Sequence, residues 1–308
     1  ADETITGHPE VYRLFTYRFS GKKSQSELLQ QLEAMLQGKD PLVDAISNPM
    51  RRLIRNQLGY FYDAMPPGFD LQGASIGNLI LAGGYLNNHQ HLDPIIFLFS
   101  KLVNVLGTVR AIVNDNLHLG AELEDGSLII GQHLLTGKEV MPLCSPIKRL
   151  FLSKKLDELV PAKSEIRKKN RKLIARADLI CFPPGSFYSS LVANLLPKGV
   201  GSTVAANECP KVYIPNLGQD PEQIGMTAEQ SVHLLLEHLR VDAGSDCPNQ
   251  KLLNFVLIDS KQTELRSSLS RKLMADMGIQ LIDTRLTSTP NAAYYDPALL
   301  VDALLSLT

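Results

Sequence analysis

From residue 179 onward the chain repeats one pattern: a short apolar run, a turn, a helix-spaced stretch, then another apolar run. The runs are Leu179–Phe182, Lys211–Asn216, Leu253–Asp259 and Ile279–Leu286. The helix-spaced stretches are Ser189–Leu196, Thr227–Arg240, Leu265–Met277 and Pro297–Leu307. Such short continuous runs suit strands buried on both faces, and strands that alternate with helices over short connections call for a mainly parallel, helix-flanked sheet. The expected fold class is therefore α/β. Thr227 with Gln230 forms a capping-box pattern at the start of one of these helices.

The first of those strands runs into Pro183-Pro184-Gly185-Ser186 and then a helix, within ADLICFPPGSFYSSLVANLL. In an α/β fold this junction lies at the carboxyl end of a strand, where helix-start amides and serine hydroxyls can hold phosphate oxygens. The same residues also suit an ordinary βα turn that uses Pro and Gly for geometry. The local pattern leaves both readings open.

The first third of the chain reads as helical. Glu10–Phe19 and Ser26–Gln37 carry helical spacing, and Ser24 with Glu27 makes a capping box before the second. Pro41 to about Phe61 follows, with Arg51, Arg52 and Arg55 on one face, a pattern most simply read as solvated. In GASIGNLILAGGYL, Ser75 is a plausible N-cap and Gly77 would let a ligand or another backbone come close. Asn78 is equally suited to capping and to ligand contact. A helix over Ile95–Leu106 then ends at Gly107.

Thr108–Val113, Leu117–Leu123 and Ser127–Gly131 read as strands, the last two joined by a tight Glu124-Asp125-Gly126 turn. This hairpin is expected as an insertion or as the edge of a mixed sheet. Asn114-Asp115-Asn116 sits at the mouth of the first of these strands, as a turn or a polar pocket wall.

Composition excludes several classes. With 31 basic and 32 acidic residues and a net charge of −1, no overall field draws the chain to nucleic acid or to an anionic membrane. Arg167, Lys168, Lys169, Arg171, Lys172 and Arg176 do crowd one segment, yet without interleaved aromatics they read as the wet side of an outer helix. No apolar run reaches the roughly 18 residues of a membrane span, and the polar start is unlike a signal peptide, so the cytoplasm is expected. Cys144, Cys181, Cys209 and Cys247 form no C-x-x-C pair and read as reduced thiols. His233 and His238 lie roughly 140° apart around their helix, without H-E-x-x-H spacing. G-x-G-x-x-G, Walker A, G-x-S-x-G and kinase signatures are absent from the sequence, and Ser186 as a nucleophile has no visible base.

Six stretches, in order, together resemble the CofD-like family: YRLFTYRFSG (12–21), SIGNLILAG (75–83), AELEDGSLIIG (121–131), ADLICFPPGSFYSSLVANLL (177–196), KVYIPN (211–216) and YDPALLVDALL (295–305). That family includes 2-phospho-L-lactate transferases and YvcK-type gluconeogenesis factors. PPGSFYSS is similar to the GPGSLYTS loop of the YvcK-type branch, with Pro183 in place of the first glycine. The resemblance implies a single Rossmann-like three-layer domain over 1–308, with a helical and hairpin insertion over 71–150. It implies a nucleotide and phosphate site formed by Ser75, Gly77, Asn78, Pro184, Gly185, Ser186, Ser189 and Asn216. Asp296, matching the family's late Asp-Pro, is a further pocket residue on the same grounds, while Asn114 and Asp115 are pocket candidates from their place at the strand mouth.

The ligand it implies is a GDP- or UDP-linked conjugate with Mg²⁺. The activity is attack by an acceptor hydroxyl on the β-phosphorus, releasing nucleoside monophosphate, or else nucleotide-sugar sensing without chemistry. A homodimer is left open. Ala74 stands where many relatives have His or Arg, and Val113-Asn114 replaces a more usual Pro-x-Thr or Pro-x-Ser. The family's first strand, Gly-Gly-Gly-Thr-Gly loop and Asp-Asp-Gly-Gly segment, expected to supply phosphate contacts and metal carboxylates, would precede Ala1.

Overall fold

A computed structural model describes residues 8–137, 141–261, 269–289 and 292–308. These fall into two compact units, 1–114 and 115–308, so the helical and hairpin parts of the expected 71–150 insertion lie in different units.

The first unit is helical: α1 (Pro9–Thr16), α2 (Gln25–Gln37), α3 (Pro41–Asp44), α4 (Met50–Ala64), α5 (Ile76–Asn87) and α6 (Leu92–Leu102). Leu28, Leu32 and Met35 of α2, Ile54 and Leu58 of α4, and Ile76 and Ile80 of α5 meet in one buried core. The expected helix over 10–19 stops early because residues 17–19 turn extended and pair with the approach to α5. Ile76 N donates to Tyr17 O (3.0 Å) and Phe19 N donates to Ala74 O (3.0 Å). Pro49 divides the expected 41–61 helix into α3 and α4, since proline cannot donate into a helical ladder.

The expected strand over 108–113 is irregular backbone. Arg110 of this stretch pairs with Asp93 on α6 (3.1 Å), a side-chain anchorage where a ladder was expected.

Among the described residues, the second unit holds two four-stranded sheets. The hairpin of β1 (His118–Leu123) and β2 (Leu128–Ile130) forms as expected, turning through Gly126 at φ +84°. Its other side is not the parallel sheet, however. β1 pairs antiparallel with β3 (Ile147–Ser153), which pairs with β4 (Pro161–Ala162), so the hairpin belongs to a separate antiparallel sheet in the order β2-β1-β3-β4. α7 (Gln132–Leu135) follows the hairpin.

The parallel sheet has the order β5-β6-β7-β8, formed by Ile180–Phe182, Lys211–Tyr213, Phe255–Ile258 and Gln280–Asp283. The helices between and around them are α8 (Lys168–Ala175), α9 (Val200–Ala206), α10 (Ala228–Ala243), α11 (Asn249–Leu252), α12 (Arg271–Asp276) and α13 (Pro297–Leu305). The 265–268 part of the expected 265–277 helix lies outside the described residues. Val212, Ile214, Leu257 and Leu286 form a buried cluster in this layer, against which Leu300 and Leu304 of α13 pack. Among the described residues, no helix is long and apolar enough to cross a membrane.

Candidate functional site

After β5 the chain does not enter an ordinary α-helix at residue 189. It makes a π-helical turn over Phe187–Leu191 and a 3₁₀ turn over Val192–Asn194. Ser186 O accepts from both Ser190 N (2.9 Å) and Leu191 N (3.2 Å), which is how the turn widens. The widening brings Phe187, Tyr188 and Ser189 inward, all buried. Their amides then need acceptors inside the protein.

The acceptors come from the segment after β6. Asp220 Oδ2 accepts from Phe187 N (2.6 Å), and Glu222 Oε2 accepts from Tyr188 N (2.9 Å) and Ser189 N (2.8 Å). The Ser189 hydroxyl donates to Glu222 Oε1. Glu222 is buried at 1% exposure. Burial pushes its carboxyl above the ordinary value, and the bonds from Ser189 and Tyr188 pull it down without cancelling that effect. Asp220 is tied further, its Oδ1 accepting from Glu222 N (3.1 Å).

Asn216, one of the expected ligand contacts, clasps the loop instead. Its Oδ1 accepts from Gly185 N (2.7 Å) and its Nδ2 donates to Gly185 O (2.8 Å), so the carboxamide pairs with the glycine as a neighbouring strand would. The same Nδ2 also lies 3.4 Å from Asp220 Oδ2. Gly185 has φ +150°, backbone that side chains rarely adopt. Of residues 185–189, Ser186 alone keeps its amide and hydroxyl without a partner among the described residues, and it is half-buried.

A cleft of about 880 Å³ opens beside this assembly, at the carboxyl end of β6. Its floor is Tyr213, Pro215 and Asn216, and its walls are the 217–226 segment and the first turn of α10. Thr227 caps that helix in a full capping box with Gln230. Gln223 Nε2 donates to Ser231 Oγ (2.7 Å) at the wall.

The structure thus brings together Pro184, Gly185, Ser186, Ser189 and Asn216 of the expected site, in the second unit. Ser75, Gly77 and Asn78 belong to the first unit. Ser75 is the N-cap of α5, accepting from Asn78 N, and the Asn78 side chain is exposed. Gly77 serves backbone packing: a Cβ there would stand 2.5 Å from Phe15 O. Asp296 is the N-cap of α13, accepting from Ala298 N (3.0 Å) and Leu299 N (3.2 Å). Asp115 accepts from the buried Ser164 hydroxyl. Asn114 falls at the end of the first unit.

The pairing of Asp220 and Glu222 with the loop was missed, because Asp-Pro-Glu reads as a turn. The available signal was two acids shortly after the end of β6, within reach of the helix start that follows the neighbouring strand β5.

Among the described residues no three His, Cys, Asp or Glu side chains gather as a metal-holding group, and Asp220 and Glu222 are committed to backbone amides.

A parallel sheet with a clasped loop and a cleft at its strand ends defines a protein of the parallel α/β kind in architecture. The family model described as 2-phospho-L-lactate transferase CofD matches residues 3–287, and the chain belongs to that family. It is 33% identical to the gluconeogenesis factor of Bacillus subtilis over 198 residues, 60% of this chain and 58% of that protein. It is 30% identical to the gluconeogenesis factor of Listeria monocytogenes over 247 residues, covering 77% of this chain and 70% of that protein. The chain thus spans less than two thirds of the length of the Bacillus relative. A solved structure from Bacillus halodurans, a member of the UPF0052 family, shares the fold with a TM-score of 0.60 at 21% identity, covering 93% of this chain and 88% of that one.

Proposed function

We propose that the chain binds a nucleotide diphosphate conjugate at the carboxyl end of its parallel sheet, and that it acts as a regulator of the gluconeogenesis-factor kind. The observation that carries this reading is the cleft of about 880 Å³ at the end of β6, lined in part by Asn216 and Asp220, which bond the 185–189 loop. Its volume is in the range of small-molecule sites, and its place is where parallel α/β sheets take ligands. The regulatory half of the reading is supported by the names of the relatives, gluconeogenesis factors of Bacillus subtilis and Listeria monocytogenes.

The family description favours a second reading, a transferase that releases nucleoside monophosphate. Calorimetric titration with GDP and UDP-N-acetylglucosamine, with and without Mg²⁺, tests binding in both readings. Ser186→Ala should weaken it, because Ser186 holds the loop's remaining hydroxyl. Binding without release of nucleoside monophosphate from a supplied donor and acceptor supports the regulator; steady release establishes the transferase. Failure of both nucleotides to bind overturns both readings.

A further inference from the structure

We propose that the exposed basic face of α8 is a docking surface for an acidic, amphipathic helix of another protein.

The face is set by helical spacing. At 100° per residue, Lys168, Lys172 and Arg176 rise in one row a turn apart, and Lys169 and Leu173 stand beside it. All five are exposed, Leu173 to 50%, while Asn170 on the far side is buried. Lys163 is exposed on the approach to the helix. Among the described residues no carboxylate pairs with Lys163, Lys168, Lys169, Lys172 or Arg176; the acid nearest in sequence before the helix, Glu165, pairs with Arg171 (2.7 Å). None of the α8 residues lines the cleft at the end of β6.

A face that meets only water is usually built differently. Solvated helices mix signs at i,i+4, whereas Lys168 with Lys172 and Lys172 with Arg176 set like charges against each other. The first turn of a helix favours acids, yet α8 has none there, opens on Lys168 and Lys169, and carries no side-chain cap. What holds the helix comes from elsewhere: Asn207 Nδ2 donates to Ile174 O (2.8 Å) and Ala177 O (3.0 Å) at its carboxyl end. The fold tolerates these cations and does not use them.

Spacing and chemistry select the partner. Carboxylates at i, i+4 and i+8 of a second helix recur at the same step, about 6 Å, as Lys168, Lys172 and Arg176, and an apolar residue beside them would cover Leu173. A nucleic acid offers phosphates but nothing apolar for Leu173, and residues 163–178 hold no aromatic side chain on which a base could stack. A membrane surface takes helices with a broad apolar face, and this one exposes a single leucine. With a net charge of −1 the chain is not drawn to polyanions at a distance, so matching at short range does the selecting.

The test is fluorescence anisotropy with the whole chain and a labelled helical peptide of about 20 residues, with Glu at every fourth position and Leu alongside. A second peptide of the same composition has its acids dispersed around the helix. The first should bind about tenfold more tightly than the second, and should lose about tenfold in affinity with Lys168→Glu combined with Lys169→Glu. That double variant should melt no lower than the parent, since acids suit the first turn of α8. Equal affinity for the two peptides, or an affinity unmoved by the charge reversal, overturns the proposal. So does a melting midpoint lowered by the reversal, which would give the lysines to the fold. A short DNA duplex, or phosphatidylcholine vesicles with roughly a third phosphatidylserine, binding this face more tightly than the first peptide assigns it to nucleic acid or membrane and overturns the proposal. A discrete dimer in sedimentation velocity, dispersed by the same reversal, assigns it to a second copy of the chain and overturns it as well.

Discussion

At the scale of single residues, Glu222 decides the most. Replacing it with Ala leaves two backbone amides and a hydroxyl buried without acceptors. At about 1–3 kcal/mol for each unsatisfied group, the loss should be several kcal/mol, read from urea unfolding midpoints. Glu222→Gln keeps a carbonyl oxygen for the two amides and should cost only about 1 kcal/mol.

The two variants also separate a pH effect. Burial holds the Glu222 carboxyl above the ordinary value, so over that interval the folded chain keeps a proton that the unfolded chain has released. Stability contributed at this position therefore falls as pH rises from the ordinary carboxylate range through the raised value, and is level above it. Glu222→Gln should remove that slope; an unchanged slope would place its origin elsewhere. Asn216 shows why residue roles were only half legible. Its importance was readable in KVYIPN, but whether its carboxamide meets a ligand or Gly185 depends on a loop thirty-one positions away.

Among the elements, glycines in helices distinguish packing from propensity. Gly83 in α5 lies against α4, where a Cβ would stand 1.8 Å from Gln57 O, whereas a Cβ on Gly59 of α4 would meet nothing within 4 Å. Gly59→Ala should stabilise by roughly 0.5–1 kcal/mol through helix propensity. Gly83→Ala should instead destabilise by about 1–3 kcal/mol, because the two helix backbones must separate. Thermal melts of the pair give the opposite signs directly.

Elements were legible where pattern and ladder agree, as in the strands of the parallel sheet, the β1–β2 hairpin and the capping boxes of α2 and α10. They were not legible where a distant partner sets the backbone. Residues 17–19 have helical spacing but pair with 74–76, and Phe187–Leu191 has helical composition but widens to satisfy Ser190 and Leu191 at one carbonyl. β3 escaped because its pairing is with β1, across a long stretch of chain, and β4 because it is two residues long and pairs with β3.

For the molecule as a whole, charge is balanced in sum and uneven in place. The net charge is −1 at pH 7, and protonation of seven histidines carries it through zero just below. Between 163 and 176 seven cations face a single acid, Glu165, which pairs with Arg171 (2.7 Å). A near-neutral surface with a one-sided basic patch favours self-association through charge asymmetry. Solubility should therefore pass through a minimum slightly below pH 7 and rise there on adding salt, as polyethylene glycol precipitation midpoints would show. A minimum displaced by more than about one pH unit, or deepened by salt, would refute the account.

The carboxylates that close the 185–189 loop give it an unusual kinetic signature. An irregular loop ordinarily trades its amide hydrogens with solvent within moments, yet four of five here are locked onto Asn216, Asp220 and Glu222. In deuterated water Gly185, Phe187, Tyr188 and Ser189 should keep their protium nearly as long as the central strands do. Ser186, in their midst, should surrender its own almost at once, a single fast clock in a row of slow ones.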